Sequence, residues 1–110
     1  MVFKPHLFAA ALCAGLASGG VTASEAIAAK AGCGICHATV NKADKKMMGP
    51  SYQEMAAKYK GRADAVAVVS DMIRKGSKGV WGPQPMPPTL PSKLSDADLK
   101  AVATWLLTIP

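Results

Sequence analysis

The sequence predicts an all-α fold, and three observations support that prediction. Apolar residues recur at the spacing of a helix in three segments. Glycine and proline separate the segments, so each helix is expected to be short. No stretch shows the every-second-residue alternation of a half-buried strand. The chain has 110 residues, a length that fits one folded domain.

The first helix is expected to begin at Glu25, with Ser24 as its N-cap. A serine hydroxyl accepts backbone N–H bonds at a helix start, and an acidic residue suits the positive end of the helix dipole. Alanine-rich sequence continues this helix through Lys30, and two glycines then weaken helical structure. The segment Cys33–His37 should therefore lie at the C-terminal end of the helix.

Three further helices are predicted, separated by turn residues. They are expected over Ser51–Lys60, over Ala63–Lys75, where Gly76 is a suitable stop, and after Ser95 as an N-cap. Residues 77–91 are too rich in proline and glycine for regular structure. The apolar faces of these helices are expected to comprise Tyr52, Met55, Ala56, Tyr59, Val66, Val69, Met72, Ile73, Leu99, Val102, Ala103 and Leu106.

The N-terminus has the pattern of a secretory signal peptide. Lys4 forms a weak basic region, residues 7–17 form an apolar run, and small residues precede a predicted cleavage point after Ala23. A retained membrane anchor is the alternative, but the run falls short of the ~20 apolar residues that span a bilayer. Lipid attachment at Cys13 is disfavoured, because Leu12 stands where such a motif has a small residue.

The predicted organisation is a signal peptide over residues 1–23 and one domain over residues 24–110, exported to the periplasm. The chain carries 13 basic and 7 acidic residues, a formal charge of +6, which becomes +5 when the signal takes Lys4 with it. A positive surface favours acidic protein partners. The basic residues are spread out and form no arginine-rich run, which does not fit a nucleic-acid-binding surface.

The candidate site is the pattern Cys-x-x-Cys-His at residues 33–37, the attachment signature of c-type haem. Two thiols about one helical turn apart can reach the two vinyl groups of a porphyrin, and the adjacent histidine can then bind the iron. A thioredoxin-like pair needs a βαβ framework, and a zinc site lacks a convincing fourth ligand. One covalent haem c held by Cys33, Cys36 and His37 is therefore predicted.

Met86 is predicted to be the second axial ligand of the iron. His6 belongs to the predicted signal peptide, so a second histidine has no candidate. Met55 and Met72 lie on apolar helix faces, where methionine commonly fills the core, and the pair Met47-Met48 is too close to the motif in sequence. Met86 instead lies between two prolines, which stiffen an irregular loop and suit a thioether that must hold one position.

Four pieces of sequence carry a resemblance to a known family. They are Gly32-Cys33-x-x-Cys36-His37, Met48-Gly49-Pro50-Ser51-Tyr52, Gly76-Ser77-x-Gly79-Val80-Trp81-Gly82-Pro83-x-Pro85-Met86-Pro87-Pro88 and Trp105-Leu106-Leu107. With these pieces the chain resembles the small bacterial class I cytochromes c of the c551, or c8, type. The resemblance covers essentially the whole predicted mature chain, and its second and third pieces are more specific than the haem motif alone.

The resemblance implies a cytochrome c fold, in which the N- and C-terminal helices cross and short helices surround the haem. It implies His37 and Met86 as the axial ligands. It also implies that the carbonyl of Pro50 accepts the other imidazole N–H of His37, which would make the ring a better donor. The indole N–H of Trp81 would reach a haem propionate.

One departure from the family pattern concerns the haem propionates. Relatives often carry an arginine, in the helix before the Gly-Ser turn, that helps to neutralise a propionate. This chain has Met72 there, with Arg74 two residues further on. Two ionised propionates would also lower the formal charge of the mature chain to about +3.

The expected function is transfer of single electrons by a soluble periplasmic carrier, and not catalysis, because two axial ligands leave substrate no access to the iron. A monomer without a stable membrane anchor should shuttle electrons between respiratory-chain donors and a terminal reductase or oxidase. Lys30, Lys78 and Lys93 are candidates for docking on acidic patches of these partners. The alternatives are a five-coordinate ligand sensor or small peroxidase, and a fixed subunit of a larger enzyme.

Overall fold

The computed structural model describes residues 22–42, 45 and 47–110 of the chain. These residues form four α-helices and no β-strand, which confirms the all-α prediction. One turn of 3₁₀ helix lies between the first two helices. The elements are α1 (Ala23–Lys30), the 3₁₀ turn (Cys33–Ile35), α2 (Tyr52–Tyr59), α3 (Ala65–Lys75) and α4 (Asp96–Leu106). Residues 1–21 of the predicted signal peptide lie outside the described residues.

Helix α1 begins two residues earlier than predicted, and its N-cap is Thr22 instead of Ser24. Thr22 has an extended backbone, and its hydroxyl accepts a bond from the backbone N–H of Glu25 at 3.2 Å. The prediction was wrong because it treated residue 23 as the last residue of a removed segment. With residue 22 present, its hydroxyl satisfies an N–H group that the helix start leaves without a partner.

Helices α2 and α3 lie within the predicted segments and differ from them by one or two residues at their ends. Gly76 ends α3 as predicted, with a φ of 76°, a left-handed conformation that glycine adopts without steric cost. Ser95 caps α4 as predicted, and its hydroxyl accepts the N–H of Asp98 at 3.2 Å.

The core lies where α4 packs against α1, α2 and α3. Contact between α1 and α4 gives the pairing of N- and C-terminal helices that the family resemblance implied. The four residues predicted for the buried face of α4 are all buried, and Leu94 before the helix is only 2% exposed. In the part of the chain that the structure describes, no helix combines the length and apolar character needed to cross a membrane.

Candidate functional site

The Cys-x-x-Cys-His segment folds as a 3₁₀ turn directly after α1. The backbone N–H groups of Cys36 and His37 both donate to the carbonyl of Cys33, at 3.3 and 3.0 Å. Side chains three residues apart in such a turn project to the same side, so the turn directs both cysteines the same way. Both cysteines are free and half-buried, and burial raises the pKa of the Cys33 thiol above its usual value.

His37 is held by a hydrogen bond between Nδ1 of its ring and the backbone carbonyl oxygen of Pro50, 2.7 Å apart. A carbonyl can only accept, so Nδ1 carries the proton and donates. In the neutral imidazole the lone pair is then on Nε2, the atom that can bind a metal. The bond implied by the resemblance is therefore present.

Gly49 gives the His37 ring the space that it occupies. A Cβ atom on Gly49 would lie 2.5 Å from Cε1 and 2.7 Å from Nδ1 of that ring, closer than real Cβ atoms approach. The backbone N–H of Gly49 donates to the carbonyl of Cys36 at 2.9 Å, so the backbone itself holds the two segments together. A side chain at position 49 would force either the histidine ring or this backbone segment to shift.

A capping box at the start of α2 fixes the chain on the other side of Pro50. The Ser51 hydroxyl accepts the N–H of Glu54 at 3.1 Å, and the Glu54 carboxylate accepts the N–H of Ser51 at 2.7 Å. Ser51 is 1% exposed. This capping box was not predicted, although its Ser-x-x-Glu pattern is visible in the sequence.

Tyr52, the first residue of α2, packs between two aromatic rings of the site region. Its ring stacks on that of His37 with centroids 5.9 Å apart and meets Trp105 edge-on at 5.3 Å. Burial, followed by the negative charges of Cys33 and Glu25, raises the pKa of Tyr52 to about 12. Tyr52 therefore stays a neutral phenol at physiological pH and supports one face of the His37 ring without adding charge.

An apolar cavity of about 320 Å³ opens beside these residues. Cys33, Cys36, His37 and Met86 all line it, so the structure brings together every residue predicted for the site. Met48, Met55 and Met72 also line it, which shows that Met55 and Met72 are wall residues of the cavity and not only core filler. No Lys, Arg, Asp or Glu among the described residues lines it.

The main chain of Met86 is held more firmly than its irregular loop suggests. Met86 donates its N–H to the carbonyl of Ser77 at 2.8 Å and accepts the N–H of Ser77 at 3.1 Å. Ser77 comes directly after Gly76, where a Cβ atom would lie 2.5 Å from the Met86 carbonyl oxygen. The methionine is therefore fixed against the C-terminal end of α3.

Arg74 does not point toward the cavity, although it lies close in sequence to the position where relatives carry an arginine. Its guanidinium binds backbone carbonyls of the segment that leads into α4, together with Asp96. Trp81 lines the cavity, and the Lys58 ammonium, outside the lining, lies 4.8 Å from the centre of the Trp81 ring. The structure thus brings Lys58, and not Arg74, close to the residue expected to contact a propionate.

The residues present fit a c-type haem. The cavity is apolar, as the porphyrin requires, and two thiols on one side of a helical turn lie at its wall. The His37 ring is fixed in the tautomer that leaves Nε2 to bind iron. Met86, whose main chain is fixed by two hydrogen bonds, lines the same cavity and could supply a thioether sulfur.

Comparisons with known proteins identify the same family throughout. Residues 21–110 match the family model described as Cytochrome c. Cytochrome c2 of Rubrivivax gelatinosus is 51% identical over 84 residues, which cover 76% of this chain and 94% of that protein. Cytochrome c-552 of Hydrogenobacter thermophilus is 43% identical over 91 residues, covering 82% and 86%. The crystal structure of Nitrosomonas europaea cytochrome c552 superimposes with a TM-score of 0.68 at 41% identity, covering 77% and 98%.

Proposed function

Because this chain belongs to the cytochrome c family, as a class I monohaem electron carrier with covalently attached haem c, we propose that His37 and Met86 are the two axial ligands of its iron. We further propose that Cys33 and Cys36 form the two thioether links. The observation that carries the proposal is that His37 and Met86 line one apolar cavity, each held by backbone hydrogen bonds.

Each residue then has a defined part in electron transfer. Haem supplies an iron that gains and loses one electron. The Pro50 carbonyl holds the proton on Nδ1 of His37, which keeps Nε2 directed at the metal and makes the ring a stronger donor. The apolar walls exclude water, and a methionine ligand together with burial raises the reduction potential.

Met86 is a better candidate than the other methionines of the cavity wall. Met48 is 63% exposed, so its sulfur lies largely in water. Met55 lies on α2 and Met72 lies on α3, and other residues of these helices are buried in the core. Met86 is instead half-buried outside the helices, and two hydrogen bonds with Ser77 hold its backbone at the cavity.

With both axial positions occupied, the iron cannot bind a substrate, so the protein is proposed to carry electrons without catalysing a reaction of its own. A five-coordinate sensor or peroxidase would require Met86 to leave the iron open. A carrier is favoured because two backbone hydrogen bonds with Ser77 fix the main chain of Met86 beside the cavity that it lines.

The protein is further proposed to act in the periplasm, as a monomer released from its signal peptide by cleavage after Ala23. Its partners are proposed to be redox proteins with acidic docking patches. Lys30, Lys78 and Lys93 are exposed, and two exposed apolar residues, Met48 and Val80, lie at the cavity. An apolar contact surrounded by mobile charges suits the small, short-lived interfaces of electron transfer.

Replacement of Met86 tests the proposal, with Met48→Ala as the matched control. In Met86→Ala holoprotein we expect loss of the far-red absorption band from methionine sulfur to ferric iron, a lower reduction potential, and binding of CO to the reduced form. Met48→Ala also removes a methionine from the cavity wall and should retain the band. A band that survives in Met86→Ala would show that another residue binds the iron.

A further inference from the structure

We infer that Arg74 is a positioning residue for Met86, holding the chain that follows the methionine onto the end of α3 and thereby keeping its sulfur at the iron. This inference rests on the proposed ligation by Met86. Arg74 does not line the cavity, and it acts through the backbone of the segment that follows Met86.

The Arg74 guanidinium binds two main-chain carbonyls of the segment between the loop and α4. One terminal nitrogen, Nη1, donates to the carbonyl of Thr89 at 2.8 Å, and the other, Nη2, donates to the carbonyl of Leu94 at 2.9 Å. The planar fork of a guanidinium can hold two such acceptors in fixed directions, which an ammonium group cannot do. The Arg74 side chain is 19% exposed, so these bonds are largely shielded from water.

An ion pair adds to this arrangement but is not its main part. Nη2 of Arg74 also lies 2.8 Å from a carboxylate oxygen of Asp96. The Asp96 side chain is 93% exposed, and ion pairs with so exposed a partner contribute little. The two carbonyl bonds are therefore the main contribution of Arg74 to holding the segment.

The chain is anchored to the C-terminal end of α3 at two places, Met86 and Thr89. At the first, Met86 pairs with Ser77 through two backbone bonds. At the second, the N–H of Thr89 donates to the carbonyl of Ile73 at 3.0 Å, and Arg74 binds the carbonyl of the same threonine. The two residues between Met86 and Thr89 are prolines, whose fixed φ makes a stiff connection.

This geometry predicts what happens when Arg74 is removed. The carbonyls of Thr89 and Leu94 lose their shared donor, and the segment keeps one bond from Thr89 to α3. Because Pro87 and Pro88 form a stiff connection, movement of the released segment then displaces Met86. A thioether bound to iron depends on a fixed position, so ligation should fail before the helices unfold.

The test uses holoprotein carrying Arg74→Met, Arg74→Lys or Asp96→Asn. The far-red band of the ferric protein reports methionine ligation, and the far-ultraviolet circular dichroism reports the helices, both followed through a guanidinium titration. We expect Arg74→Met to lose the band at a denaturant concentration where its helical signal is retained. Arg74→Lys should show a smaller separation of the two midpoints, and Asp96→Asn should resemble the wild type.

Two results would overturn the inference. In one, the band and the helical signal of Arg74→Met shift together, which would make Arg74 an ordinary stabilising residue. In the other, neither signal shifts. If Arg74→Met does not fold, coincident midpoints in Arg74→Lys would have the same meaning. Failure of Met86 ligation itself is distinguishable, because the wild type would then lack the band, or Met86→Ala would retain it, and both proposals would fall.

Discussion

The position of the His37 ring depends on three neighbours that restrict it from different sides. The Pro50 carbonyl accepts its Nδ1 proton at 2.7 Å, and the Tyr52 ring stacks on it. The backbone of Gly49 passes so close that a single Cβ atom would overlap the ring. A histidine restricted in this way presents Nε2 in one direction, which is what an iron ligand requires.

Replacing Gly49 with alanine tests how closely the backbone fits the ring. The added methyl group must displace His37 or its own segment, so we expect the free energy of unfolding of the holoprotein to fall by about 1–3 kcal/mol, the usual cost of overpacking. The matched control is Gly34→Ala in the Cys-x-x-Cys-His motif, where a Cβ atom meets nothing within 4 Å. Denaturant titration compares the two, and equal losses would contradict this role of Gly49.

The four candidate residues that line the cavity could be selected from the sequence, and the resemblance implied the Pro50–His37 bond, but the anchoring of the loop that carries Met86 could not be predicted. Cys33, Cys36 and His37 form a contiguous pattern whose spacing is dictated by the porphyrin, and Met86 stands out by its flanking prolines. The bonds of Arg74 join residues 15 and 20 positions apart. No local rule indicates such partners, because they depend on how the loop returns to α3.

At the scale of elements, the capping box of α2 links helix stability to the site. Its Ser51 follows Pro50 directly, and the backbone N–H of Tyr52 donates to the carbonyl of Ala38 at 2.8 Å. The start of α2 is thereby tied to the residue after His37. A helix start that frays would loosen the carbonyl that orients the imidazole.

Ser51→Ala removes this cap, and Ser95→Ala at the start of α4 is its matched control. Each change should lower the free energy of unfolding by about 1 kcal/mol, the typical value of an N-cap. Loss of the Ser51 cap should in addition shift the NMR signal of the His37 Nδ1 proton, because its acceptor moves. An unshifted proton signal in Ser51→Ala would show that the cap does not fix the carbonyl that accepts the His37 proton.

The elements were predicted well where the pattern is local and less well where it is not. Gly76 correctly predicted the end of α3, and Ser95 correctly predicted the start of α4. Periodic apolar residues predicted the buried faces of both helices. The predicted start of α1 was wrong by two residues, because its N-cap, Thr22, precedes the expected cleavage point. The pairing of Ser77 with Met86 joins two residues nine positions apart within a proline-rich loop, which no periodicity reveals.

At the scale of the whole molecule, the net charge determines how partners are approached. The full chain has a formal charge of +6, which stays positive, at +5, without the Lys4 of the predicted signal peptide, and its exposed lysines include Lys30, Lys78 and Lys93. Such a surface attracts acidic partners over distances that salt shortens, with a screening length of about 10 Å at 0.1 M ionic strength.

We therefore expect the second-order rate of electron transfer to an acidic redox partner to fall as ionic strength rises. Stopped-flow measurements with the reduced holoprotein at increasing salt would show this dependence. The reaction with a small neutral oxidant is the control and should be nearly insensitive to salt. A partner rate that does not change with salt would contradict steering by the lysines.

The central claim is that His37 and Met86 close both faces of the haem iron. The most direct test is the NMR spectrum of the reduced holoprotein with ¹³C-labelled methionine methyl groups, because the porphyrin ring current shields a methyl group held against the iron. We predict that one methyl signal lies far upfield of the others and disappears in Met86→Leu. Signals that all lie in the ordinary methionine range, or a shifted signal that survives in Met86→Leu, would contradict the claim.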